Sequence, residues 1–101
     1  MSNKAFLSFF AVLSLIAFVS GYWMESQALD KVRRAIMLTA DNPKQQANII
    51  DTEAEVLWKM KRYDDAIESI NKAISINPNS EYFKDQKLKF IDSKKGNDQP
   101  A

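Results

Sequence analysis

The chain has 101 residues, with 14 Lys and Arg against 13 Asp and Glu, and it contains neither histidine nor cysteine. That length builds one small domain at most. The missing residue types remove the commonest general base, the commonest metal ligand, disulfides and thiol catalysis together, and the near-neutral balance leaves no electrostatic footprint for nucleic acid.

Residues 5–24 carry no side chain charged at neutral pH, and their small polar members are Ser8, Ser14 and Ser20. This is enough to cross a bilayer as one helix. Lys4 stands on one flank, and Tyr22 and Trp23 on the other suit headgroup depth. Within the span Ala11, Ser14, Ala17 and Gly21 share a limited arc, and Ala17 with Gly21 is a small-xxx-small pair that lets membrane helices approach closely. Phe9, Phe10, Leu13, Ile16 and Val19 then largely face lipid or larger pockets. The competing reading is a cleaved secretory signal, whose apolar part is roughly 7–15 residues and ends at a small-x-small site. The available sites, 19–21 and 26–28, are poor ones. Lys4 before the span keeps the N-terminus inside, whereas Lys31, Arg33 and Arg34 beyond it argue the reverse. The expectation is a single-pass protein of bacterial inner-membrane type with its helical domain extracytoplasmic; a secreted or periplasmic product after cleavage is the alternative.

Downstream, Ala28, Leu29, Val32, Ala35, Ile36 and Leu38 recur at helical spacing until Asp41, Asn42 and Pro43 stop the pattern. No Gly or Pro separates Trp23 from Ala28, so one helix can run from the bilayer into the domain.

Two apolar stripes follow. Ala47, Ile50, Ala54 and Leu57 share one face of a 3.6-residue period, and Ala66, Ile70, Ala73 and Ile74 share another. A short polar turn between them predicts an antiparallel helix hairpin in which Ala54, Ala66 and Ala73 allow close backbone approach. Residues 47–80 resemble a complete tetratricopeptide repeat, a helix-turn-helix unit of about 34 residues. The resemblance rests on Ala47, Ile50, Ala54, Leu57, Tyr63, Ala66, Ile70, Ala73, Ile76 and Pro78. Two positions depart from it. Glu53 stands where the family usually has an apolar residue, and Lys61 stands at the usual turn glycine, where a left-handed backbone costs a non-glycine residue about 1 kcal/mol. The helix over 28–38 resembles the second helix of a preceding, truncated repeat, joined by a loop a few residues longer than the family norm.

Asp64 and Asp65 fall in the first turn of the second hairpin helix, where carboxylates favour the positive end of the dipole and cap it. With no further ligand in sequence nearby, capping is preferred to metal binding. A last, more polar helix is predicted from Ser80 as N-cap to about Lys94, with Tyr82, Phe83, Leu88, Phe90 and Ile91 as its apolar members. The resulting division is an anchor over 1–24, an all-α domain over 25–94 consisting of a tetratricopeptide-like hairpin with a terminal capping helix, and a disordered tail over 95–101.

The resemblance also implies a concave groove lined by Asn48, Asp51, Thr52, Glu55, Trp58 and Lys59, which would meet a protein partner. The bland alternative is a solvated face with Trp58 partly packed on a neighbouring helix. Basic residues that clamp a terminal carboxylate in some family members are missing, which disfavours a chaperone-tail receptor. Nothing resembles a catalytic constellation: lone serines lack a base, two glycines make no phosphate loop, and paired acids on an open helix face lack the pocket that general acid-base work needs. The sequence thus points to a non-enzymatic, membrane-anchored interaction adaptor without metal, cofactor or small-molecule substrate. The alternative is an accessory subunit built permanently into a larger membrane complex.

Overall fold

The computed structural model describes residues 24–98. The expected span, Met24 apart, lies outside them together with its packing face of Ala11, Ser14, Ala17 and Gly21, as do the last three residues of the tail. Among the described residues no helix is long and apolar enough to cross a membrane. They form α1 (24–38), α2 (Pro43–Lys59), α3 (Tyr63–Ile76) and α4 (Glu81–Asp98), with no strand.

The joint between α1 and α2 is tighter than the sequence suggests. Asn42 caps α2 by accepting from Gln45 N at 3.2 Å, and its amide donates back to Gln45 Oε1 at 3.3 Å. Pro43, with its fixed φ and missing N–H, occupies the start of the helix where neither property costs anything. The residues expected as extra loop therefore become the first turn of α2. The end of α1 is closed by side chains: Thr39 Oγ1 donates to the carbonyls of Ala35 and Ile36, and Gln46 Nε2 donates to that of Ile36 at 3.0 Å. These bonds satisfy carbonyls that a helix end otherwise leaves open.

The hairpin turn is a Schellman motif. Arg62 N donates to Leu57 O and Lys61 N to Trp58 O, both at 2.9 Å, and Lys61 adopts the left-handed φ of 63° that such a cap requires. The packing between α2 and α3 follows the alanine stripes: Ala54, Ala66 and Ala73 are completely buried, with Ile50, Leu57 and Ile70 between them. Ile74 and Ile76 pack more loosely at the margin.

At the start of α4, Ser80 Oγ accepts from Phe83 N at 3.2 Å, the cap that the sequence predicts. Phe83 and Phe90 bury α4 against the hairpin and join one core with Leu29 of α1. The helix continues to Asp98, beyond the expected end at Lys94. Gly96 is held within it at an ordinary helical φ, and Lys95 sits in the last turn, where the negative end of the dipole favours a cation.

One local expectation changes. Asp64 and Asp65 occupy the first turn of α3, but no side chain caps that helix. Asp65 instead pairs with Arg62 at 2.8 Å, and Asp64 pairs with Lys94 of α4 at 2.7 Å. A cation was within reach of each carboxylate, so the acids tie the turn and the last helix together.

Candidate functional site

The six residues expected to line a groove separate into two sets. Asn48, Thr52 and Lys59 are exposed, with Thr52 Oγ1 donating to Asn48 O within α2. Asp51, only 9% exposed, and the half-buried Glu55 and Trp58 lie beneath α4. The three recur at four- and three-residue intervals, so they form one ridge on α2. Gln86, Lys89 and Ser93 recur at three and four on α4 and meet that ridge residue by residue.

Gln86 Nε2 donates to Asp51 Oδ1 at 3.1 Å and to Glu55 Oε1 at 2.6 Å. Lys89 pairs with Glu55 and lies 4.2 Å from the centroid of the Trp58 ring. Trp58 Nε1 donates to Ser93 Oγ at 2.8 Å, and that hydroxyl donates in turn to Lys89 O. Phe90 closes the dry side, its ring centroid 6.3 Å from that of Trp58. A cation over an indole and an indole with a satisfied N–H are both favourable partly buried contacts.

The two carboxylates titrate apart. Burial raises Asp51 above the ordinary aspartate value, with the Glu55 charge adding to it and the Gln86 hydrogen bond opposing. For Glu55 burial is again the largest single influence and acts upward, but hydrogen bonds from Lys89 and Gln86, with the charges of Lys89 and Lys59, outweigh it and hold the group low. The acids therefore do not lie on an open helix face, as the sequence reading supposed. They are occupied in joining α4 to α2.

A second polar joint was not anticipated. Glu53, only 9% exposed, accepts from Ser69 Oγ of α3 at 2.6 Å through one oxygen and from Arg33 Nε of α1 at 3.1 Å through the other. The departure from an apolar residue is thus a carboxylate held by two helices. The signal was present in each stripe: Ser69 lies between Ala66 and Ala73, and Arg33 follows Leu29 by four residues, so three polar residues interrupt three apolar faces. The cleft beside this joint, about 230 Å³, also takes in Arg62, Asp65, Glu68 and Lys72. Its cations and anions balance, so it selects no charged ligand.

Residues 47–80 match the family model of the tetratricopeptide repeat. They form a tetratricopeptide-like repeat, and repeats of this kind generally mediate protein–protein interaction, which supports an interaction role for this chain. No curated protein and no solved structure matches it.

Proposed function

We propose that this chain is a non-enzymatic protein-interaction adaptor tethered to a membrane by residues 5–24. The observation that carries this reading is the repeat itself: a complete helical hairpin flanked, among the described residues, by α1 and α4. Stacked repeats bury a continuous core only when neighbours cover their faces, and about three are needed for independent stability. One repeat with two flanking helices is short of that. Asn48, Thr52 and Lys59, the exposed part of the α2 face, are where a partner would touch the inner side. The tether is supported by the apolar length of 5–24 and the aromatic pair at its end, and we place the helical domain on the extracytoplasmic side.

The same shortage of repeats favours a second reading, an accessory subunit held permanently in a larger membrane complex. Mild detergent extraction and size separation of the native chain distinguish the two. An adaptor exchanges, so part of it runs free; a subunit co-migrates entirely with one fixed set of proteins. A chain that runs wholly alone would overturn both. Intact mass tests the tether, because loss of the N-terminal segment would leave a product beginning near Tyr22 or Leu29.

A further inference from the structure

The helix α1 packs one face against the hairpin and leaves Met24, Met37 and Leu38 exposed away from it. Leu29 is buried and Ile36 packs against the core, while Arg33 on the same side reaches Glu53. The opposite face carries Met24, Ala28, Lys31, Ala35 and Leu38, spaced four, three, four and three, the interval of a seam between two packed helices. A surface helix ordinarily turns polar residues outward. Here Met24 is 66% exposed and Leu38 82%, with Met37 beside it at 78%. Ala28 and Ala35 between them, both partly buried, are small enough to let a second backbone come close.

Charge decides what can lie there. Lys31, exposed, occupies the centre of the stripe, and Arg34 borders it in a loose surface pair with Asp30 at 3.7 Å. A second copy of α1, laid parallel in register or antiparallel about the centre, would set Lys31 against Lys31. Like charges brought together at the middle of an interface disfavour that pairing. A carboxylate opposite Lys31 removes the conflict.

We propose that the outward face of α1 is a docking seam for one α-helix of another protein, a helix with small and apolar residues flanking a central Asp or Glu that meets Lys31. The inference deepens and rests on the protein-interaction reading; Met24 is shared with the end of the tether, and the rest of the seam, Ala28 to Leu38, lies beyond it. It makes α1 one half of a hairpin whose companion is supplied by the partner.

The test is site-specific photocrosslinking of the full chain in its own cells. A benzophenone amino acid is placed at Ala28, at Leu38, at Thr52 on the inner face and at Glu68 on α3 as control, and products are identified by mass spectrometry. The seam requires Ala28 and Leu38 to label one helical segment of another protein bearing an acidic residue, with no such product from Glu68. Lys31→Glu should then lower that yield by about tenfold or more, as like-charge contact does. Lys31→Arg should retain it, and reversing the partner's acid to Lys should rescue Lys31→Glu. Helical circular dichroism melting of each variant guards against misfolding. Crosslinks from α1 to a second copy, to lipid or to residues 1–23 would overturn the seam, as would a yield indifferent to Lys31→Glu. Labelling from Thr52 alone would overturn the seam while leaving the adaptor reading standing; labelling from neither face would count against both.

Discussion

The two flanks of α2 are held by different chemistry from its hairpin seam, and the contrast shows where this small domain is rigid and where it is adjustable. Against α3 the helix packs alanines and branched residues, with Ser69 donating to Glu53 as a polar contact at the seam's edge. Towards α1 and α4 it uses carboxylates: Glu53 on one side, Asp51 and Glu55 on the other. Apolar packing registers even a methylene's change of volume, whereas a hydrogen-bonded joint specifies geometry and responds to pH. The hairpin thus reads as the fixed unit, and the outer helices as elements whose seating is set by specific polar partners.

The largest effect is expected where α4 departs from this division, at its apolar anchor. Phe90 is completely buried against Trp58 and the hairpin, so Phe90→Ala should cost about 3–5 kcal/mol in urea unfolding followed by helical circular dichroism. If the loss is small, the polar ladder rather than the core seats α4.

The Glu53 joint gives the sharper comparison. Glu53→Ala strips both Ser69 and Arg33 of their acceptor and should cost about 1–3 kcal/mol. The pair Glu53→Leu with Ser69→Ala restores an apolar contact, and replacing a buried polar group in this way is often neutral or stabilising. Hydrogen exchange should nevertheless quicken in α1, because Arg33 loses the bond that fixes it; unchanged exchange would mean that Leu29 and Ile36 alone hold the helix.

On the α4 side the sign of the pH effect separates the two acids. Asp51 is raised in the folded state, so its contribution is complete below the ordinary value of 3.8 and is lost as pH rises through the raised one. Glu55 is depressed, so its contribution is complete above the ordinary 4.5 and is lost as pH falls through the lower value. Asp51→Asn keeps an acceptor for Gln86 and removes the buried charge. Its stability relative to the native chain should therefore increase as pH rises from 3.8, and a flat difference in melting across that range would contradict the burial argument.

The smallest change concerns the turn. Lys61→Gly relieves the left-handed backbone and should stabilise the hairpin by about 0.5–1 kcal/mol, part of the relief being offset by the freer unfolded chain. A destabilised variant would show that the Lys61 side chain contributes something its φ does not reveal.

The hairpin was legible because its information is local. Stripes at three- and four-residue spacing, Ser80 before an apolar run, and a non-glycine residue at a turn position all act within one or two helical turns, and the structure realises each of them. The polar joints were not, because their partners lie far apart in the chain: Gln86 is 35 residues from Asp51, and Arg33 is 20 from Glu53. Sequence showed Glu53 only as an irregularity and Asp51 with Glu55 only as acids on a helix. Asp64 and Asp65 stand in the first turn of α3 as expected but do not cap it: Lys94 takes Asp64 from another helix, and Arg62 takes Asp65 from three residues away. Of the six expected groove residues, three remain open to a partner and three are committed to α4, a division that periodicity alone does not contain.

Lysine-reactive crosslinking with mass spectrometry of the native chain in its own cells tests the interaction role most directly, since Lys31 marks the outward face of α1 and Lys59 the exposed face of α2. Intermolecular links from these lysines to a defined region of another protein are the expected result. Links confined within the chain, or between its own copies, would contradict a domain that other proteins complete.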